Sequence, residues 1–319
     1  MPDKRAREGS AVLDTATGHQ PRVRMALAAA LAAGPSHAYL FRGPRGAGKR
    51  AAARAFAAEI LAAGAEDPAG ARRRALLDPS PHPDLVWLAP SGAQHLVESV
   101  REQVIRAAAY RPFEGAKRVF VIEAAEAMRD ESQNALLKTL EEPPGFVHLI
   151  LLSSEPAALL ETVVSRCQPV EFAPLPVEAI EAALAGDSPA DEIAAAARLS
   201  AGDVEAARFL LTEAGRGLRA QAEQLAAAAL GSADEPGEVG PAPWRALLDV
   251  AEQAGEAAEA AAREALEAEA EAGIRRSVRD IADEAKRVGR RRRTEVLDLG
   301  LALTAAWLRD LAATASGAA

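Results

Sequence analysis

The residues with the greatest chemical reach lie at Gly43-Pro44-Arg45-Gly46-Ala47-Gly48-Lys49-Arg50. Glycines at these intervals let a backbone curl until successive N–H groups converge on one anion. A helix opening at once behind the loop adds its positive end, and Lys49 can reach outer phosphates. Gly43, Gly46, Gly48, Lys49 and Arg50 are therefore the candidate phosphate-binding set. The pattern breaks at its last position. A serine or threonine hydroxyl there holds magnesium, whereas Arg50 cannot ligate the ion and repels it. Glu123, behind the apolar run Val119–Ile122, stands where an aspartate usually holds that ion through water. The next position, where an acid activates water, is Ala124. Three departures in one reaction centre argue against independent phosphoryl transfer. What survives is a backbone cradle with a lysine, which leaves room for weak ATP or ADP binding and requires no cofactor.

These residues need a strand before the loop and a helix after it. Ala38–Phe41 is a short apolar run that reads as a strand, and Lys49–Ala63 reads as a helix. Ahead of them, a polar lead-in is followed by a helix from about Val23 to Ala33, stopped by Gly34 and Pro35. Further strands are expected at Leu85–Leu88, Arg118–Ile122, Val147–Leu152 and Val170–Phe172. Helices are expected at Val97–Ala109, Met128–Leu140 and Leu159–Val164. The nearly unbroken apolar run Val147–Leu152 predicts a strand buried on both faces. Alternation of this kind implies a parallel sheet with helices on both sides. Residues 64 to 84 carry Gly64, Pro68, Gly70, Pro79, Pro81 and Pro83 and read as loop.

Pro174 and Pro176 mark a boundary. Residues 177 to about 228 read as a small all-helical domain, 231–243 as a Gly-, Pro- and acid-rich linker, and the remainder as helical again. There the charge is segregated, with glutamates over Glu256–Glu271 and basic residues over Arg275–Arg293. Arg290–Arg293 cannot all face one side of a helix. The run reads as a loop or frayed turn, either solvated or touching a partner or DNA backbone. In the last helix Val296, Leu299, Leu303 and Trp307 share a face suited to burial against a neighbouring helix or subunit.

Composition excludes several classes. Hydrophobic residues make up 49% of the 319, enough for folded cores, but aromatics only 4%; alanine fills the deficit and favours helix. A net charge of -9 speaks against a protein that coats nucleic acid by bulk charge. With one cysteine, Cys167, intramolecular disulfides are impossible and a cysteine-built zinc site is ruled out, as suits a reducing, cytoplasmic setting. No stretch reads as a signal peptide or membrane span. His19, His37, His95 and His148 lack ligand spacing, so no metal site is expected.

Asn134-Ala135-Leu136-Leu137-Lys138-Thr139-Leu140-Glu141-Glu142-Pro143-Pro144 resembles the bacterial DNA polymerase III clamp-loader subunits. Leu151-Leu152-Ser153-Ser154 is similar to that family's sensor-1 strand, and Ser165-Arg166-Cys167 to its Ser-Arg-Cys motif. His82-Pro83-Asp84-Leu85 and Tyr110-Arg111-Pro112-Phe113-Glu114-Gly115 are further family-like stretches. The resemblance covers roughly residues 20 to 175. It implies an AAA+ P-loop core over residues 1–175, a small helical lid over 176–230 and a C-terminal helical collar over 231–319. Within the family the delta-prime branch matches best, a stator with a degenerate nucleotide site. The resemblance then implies that Arg166 crosses to the triphosphate of an adjacent motor subunit as an arginine finger. It also implies tau/gamma and delta subunits as partners, with the sliding clamp and primer-template DNA met through the assembled complex. Ser165 is expected to brace the turn and Cys167 to be a small buried hydrophobe.

Two departures bear on this. Many such subunits hold a structural zinc with four cysteines after the phosphate-loop helix; the stretch 64–82 has none, so no zinc is expected. Glu205 stands where motor subunits carry a sensor-2 arginine. The alternatives are an active AAA+ motor of the tau/gamma type and a phosphate-loop metabolite kinase. A kinase gives no reason for the segment Asn134–Pro144.

Overall fold

A computed structural model describes residues 11–78, 80–90, 94–231, 244–271 and 277–316. The beginning of the expected lead-in, nearly all of the expected linker, and Arg275 with Arg276 lie outside these residues. The chain divides into two compact units, Met1–Ala179 and Ile180–Ala319.

In the first unit, helix α1 (Pro21–Ala33) begins with a proline in its first turn and ends at Gly34, whose φ of 92° suits glycine. Strand β1 (Ala38–Arg42) feeds the glycine loop, and α2 (Lys49–Ala62) follows. Next come α3 (Pro68–Leu76), β2 (Leu85–Leu88) and α4 (Val97–Val100), the last continuing as a π-helical segment, Arg101–Arg106. Then come β3 (Arg118–Ile122), α5 (Asp130–Glu141), β4 (Val147–Ser153), α6 (Glu161–Val164) and β5 (Gln168–Glu171). The five strands are parallel, in the order β2-β3-β4-β1-β5. This is the expected parallel sheet with helices on both sides. All seven residues of β4 are buried, in keeping with its unbroken apolar run.

Strand alternation divides the core into two layers. Tyr39 and Phe41 face α1 and α2, where Phe56 and Phe172 join them in an aromatic cluster; Tyr39 and Phe56 meet edge to face at 5.0 Å. Ala38 and Leu40 face the other layer, with Val100, Val104, Leu136, Leu140, Val163 and Cys167. Alanine lets α2 press flat on the sheet: Ala52, Ala53, Ala55, Ala57 and Ala58 are wholly buried.

Residues 64–84 depart from expectation, because a helix, α3, occupies their middle. Pro68 lies in its first turn, where a missing N–H costs nothing. Asp67 caps it by accepting from Gly70 N at 2.9 Å. Arg72 then pairs with buried Glu59 of α2 through two hydrogen bonds of 2.6 and 2.9 Å. The proline and glycine taken as breakers are start signals. Two family-like stretches also prove to be one device. Asp84, fully buried, accepts from the backbone N–H groups of Phe113 at 2.8 Å and Glu114 at 2.9 Å.

The second unit is helical: α7 (Val177–Ala183, straddling the division), α8 (Ala190–Leu199), α9 (Val204–Leu210), α10 (Glu213–Gly231), α11 (Arg245–Glu271) and α12 (Val278–Ala315). The stretches expected as lid and collar share this one unit. Helices α11 and α12 run antiparallel and come so close at Gly255 and Gly289 that a Cβ on either would lie within 2.9 Å of the other's carbonyl oxygen. Arg290–Arg293 is no loop or frayed turn; it lies inside α12. Because a helix turns 100° per residue, its arginines diverge and find separate partners. Arg291 reaches Glu295 at 3.0 Å, Arg293 reaches Glu252 at 3.0 Å, and Arg292 stacks 4.4 Å from the Phe209 ring centre. Val296 and Leu303 are buried, whereas Trp307 and Leu311 stay exposed.

Candidate functional site

Parallel strands carry their following loops to one sheet edge, the usual ligand edge of such folds. Here that edge gathers the glycine loop behind β1, Glu123 behind β3 and Ser154 behind β4. Gly43, Gly46 and Gly48 take φ of 146°, 67° and 88°. At Gly43 a Cβ would lie 2.2 Å from the Phe172 carbonyl oxygen, so glycine is required twice over. Lys49 is buried. Its amine donates to the Gly43 carbonyl at 2.6 Å, to that of Pro44 at 2.7 Å and to Ser154 Oγ at 3.3 Å. The loop therefore turns on three glycines of positive φ, with its lysine folded back on its own carbonyls.

Arg50 extends across the site into a charged cluster. Its guanidinium donates to Asp78 at 2.8 Å, lies 3.9 Å from Glu123 Oε2 and stands 5.6 Å from the Trp87 ring centre. Arg54, one turn on, stacks on the same ring at 4.5 Å and pairs with Asp78 at 2.9 Å. Burial pulls its pKa below the ordinary arginine value, against the opposing pull of Asp78. Trp87 Nε1 donates to Glu123 Oε2 at 3.1 Å. Two cations and two carboxylates thus close around one indole. Magnesium with a triphosphate does not fit: the hydroxyl ligand is replaced by a cation, and that cation already faces Glu123. Ala124 adopts the left-handed conformation, φ 49°, and carries no acid.

The bracing residues left little trace in the sequence. Gln20 donates to the carbonyls of Ala47 at 3.2 Å and Ala173 at 2.6 Å, tying the loop to the end of β5. Glu126 accepts from Ser154 N at 3.1 Å. His95, buried, bonds through Nε2 to the Glu123 carbonyl at 2.7 Å; burial pushes its pKa down. No spacing in the sequence marks these partners, which lie 27 to 153 residues apart. In α5, Gln133 braces: it donates to the Met128 carbonyl and accepts from Leu160 N at 2.8 Å.

Arg166 belongs to the other edge. Tyr39 of β1 pairs with Gln168 of β5, and the Phe172 N–H bonds to the Arg42 carbonyl, so the turn before β5 lies at the strands' N-terminal ends. Six residues at ~3.3 Å each separate it from the glycine loop along the sheet, roughly 20 Å. Arg166 does not join Gly43, Gly46, Gly48, Lys49 and Arg50 in one site. It sits on the surface behind α6, with Nη2 2.6 Å from Glu141 Oε1 and Nη1 donating to the Thr162 carbonyl at 2.9 Å. Ser165 Oγ donates to the same carbonyl at 3.2 Å and braces the turn. Cys167 points inward, 5% exposed, its thiol pushed up to about 12 by burial. It packs as a hydrophobe.

In the second unit, Glu205 is exposed in the first turn of α9, behind Asp203, which caps the helix. Among the described residues no group of three or more His, Cys, Asp or Glu could hold a metal, and no helix is long and apolar enough to cross a membrane.

Residues 19–176 match the family described as DNA polymerase III, delta subunit. The chain is 38% identical over 204 residues to DNA polymerase III subunit delta' of Pseudomonas aeruginosa, covering 60% of this chain and 59% of that one. It is 35% identical over 151 residues to subunit delta' of Bacillus subtilis, covering 46% and 45%. It is also 36% identical over 171 residues to subunit gamma/tau of Mycobacterium tuberculosis, covering 52% and 29%. The matches thus span 59% and 45% of the delta' relatives' own length. Among solved structures, a DNA polymerase III gamma-subunit-related protein of Thermotoga maritima aligns with a TM-score of 0.42 at 16% identity, covering 88% of this chain and 98% of that one.

Proposed function

We propose that this chain, whose residues 19–176 match the clamp-loader subunits of DNA polymerase III at the family level, is a non-motor subunit of a replicative clamp loader. In this reading it joins tau/gamma motor subunits and a delta subunit. Together they place a sliding clamp on primer-template DNA. Its own nucleotide site is silent, and Arg166 serves the ATP site of the neighbouring motor subunit.

The observation that carries the reading is Arg50. Its guanidinium lies between Asp78 and Glu123, where a catalytic site would hold a metal ion. Ala124 leaves no side chain to orient water. The loop's backbone cradle persists, so nucleotide can bind weakly without being turned over. The topology supports action in trans: an arginine at the sheet edge opposite its own loop cannot reach a phosphate held there. In this position its planar fork can stabilise charge developing on a neighbour's phosphoryl group. An active tau/gamma-like motor is the second reading, favoured by the similarity to gamma/tau chains and opposed by Arg50 and Ala124.

The test is direct. The purified chain should hydrolyse ATP with magnesium no faster than background. Substantial turnover that Lys49→Ala abolishes would establish the motor reading instead.

A further inference from the structure

Glu141 occupies an unfavourable place for an acid. It is the last residue of α5, where the helix dipole presents its negative end and a carboxylate is repelled. What offsets this is Arg166, on the turn behind α6, at 2.6 Å. The arginine is held twice: Nη2 by the Glu141 carboxylate, Nη1 by the Thr162 carbonyl, with Ser165 Oγ 3.5 Å from Nη1. Both terminal nitrogens of the guanidinium are therefore engaged by this chain's own acceptors. The backbone beneath is anchored by buried Val163 and Cys167, so the turn is firm and the exchangeable part is the side-chain pair. Those side chains are 35% and 47% exposed. An ion pair this open is weak and is screened by salt. A phosphate offers the same fork-shaped recognition with more negative charge.

We propose that Glu141 is a positioning residue that parks Arg166 and is displaced when a neighbouring subunit presents a nucleotide phosphate. Carboxylate and phosphate compete for one guanidinium. Glu141 therefore sets how much nucleotide is needed to recruit the arginine, not how fast the recruited site works. This rests on Arg166 acting in trans, as proposed above. It also accounts for two family-like stretches, Asn134–Pro144 and Ser165–Cys167, meeting at one sheet edge.

The experiment uses the full chain assembled with its tau/gamma and delta partners, with DNA- and clamp-stimulated ATP turnover measured against ATP concentration. Glu141→Gln keeps the side chain's length and removes its charge. It should lower KM for ATP, by up to about five-fold for a pair of this exposure, and hold kcat within about two-fold. Arg166→Ala, run beside it, should lower kcat sharply. In Arg166→Ala/Glu141→Gln the second change should have no further effect. Circular dichroism of each variant chain should match the parent. If Arg166→Ala leaves kcat intact, the trans reading itself fails. If Arg166→Ala acts but Glu141→Gln leaves KM unchanged, or lowers kcat, the parking role is overturned while the trans reading stands. A further change in KM on adding Glu141→Gln to Arg166→Ala also overturns it, because Glu141 would then act on something other than Arg166.

Discussion

Arg50 and Arg166 stand at opposite edges of one parallel sheet, and each pairs with carboxylates, yet their surroundings differ. Around Arg50, two cations, two carboxylates and an indole interlock; Arg50 and Asp78 are 50% and 53% exposed, and Glu123 11%. Around Arg166 there is one carboxylate, 47% exposed, and a backbone carbonyl. Dismantling the first cluster disturbs several partners at once, whereas releasing the second breaks one ion pair and one hydrogen bond to a backbone carbonyl. Charge count alone does not reveal this contrast.

The largest expected effect tests the edge that carries Arg166. In the assembled complex, Arg166→Ala should cost the served ATP site about 10³-fold in single-turnover rate, the scale of a lost arginine finger. A loss confined to a few-fold would make Arg166 an ordinary surface cation and erase the contrast. Next comes the rigidity of that same edge. Asp84→Ala removes a wholly buried acceptor and orphans the N–H groups of Phe113 and Glu114. It should reduce unfolding free energy by about 2–4 kcal/mol in urea melts. A change under ~0.5 kcal/mol would show that water replaces the carboxylate and that the edge is held by other means.

Acid should loosen both edges. Buried His82 and His148 lie near the N-terminal ends of the strands and buried His95 at the opposite edge, and burial pushes the pKa of all three down. Each therefore takes up its proton at lower pH in the fold than in the unfolded chain, which binds it near pH ~6.5. The unfolded state binds more protons, so stability falls as pH drops below about 6.5. The slope is at most ~1.4 kcal/mol per pH unit for each histidine. Melting temperatures between pH 7.5 and 5 check this, and a His95→Gln variant should flatten its share. The smallest effect belongs to the cluster around Arg50. Arg50→Ser should raise Mg·ATP affinity measured by calorimetry, yet leave turnover at background because Ala124 is unchanged. If turnover appeared, the cluster around Arg50 alone would be what silences the site.

Much of this was readable from residues near one another in the chain. The glycine loop, its strand and its helix follow from backbone needs that Gly43, Gly46 and Gly48 meet locally. The apolar run Val147–Leu152 announced a buried strand because no polar residue apart from His148 interrupts it. Replacements at Arg50 and Ala124 were legible as missing chemistry. Helix α3 was hidden because a proline can stop a helix or start one, and only Asp67 in front of it and Arg72 against Glu59 decide which. Tertiary structure decided the partnerships. Asp78 meets Arg50 across 28 residues, and Glu141 meets Arg166 across 25. The parallel pairing of β1 with β5 then placed the two arginines at opposite edges. Local backbone preference is written within a few residues. Which charge finds which depends on how distant segments are brought together, and no short stretch of sequence carries that.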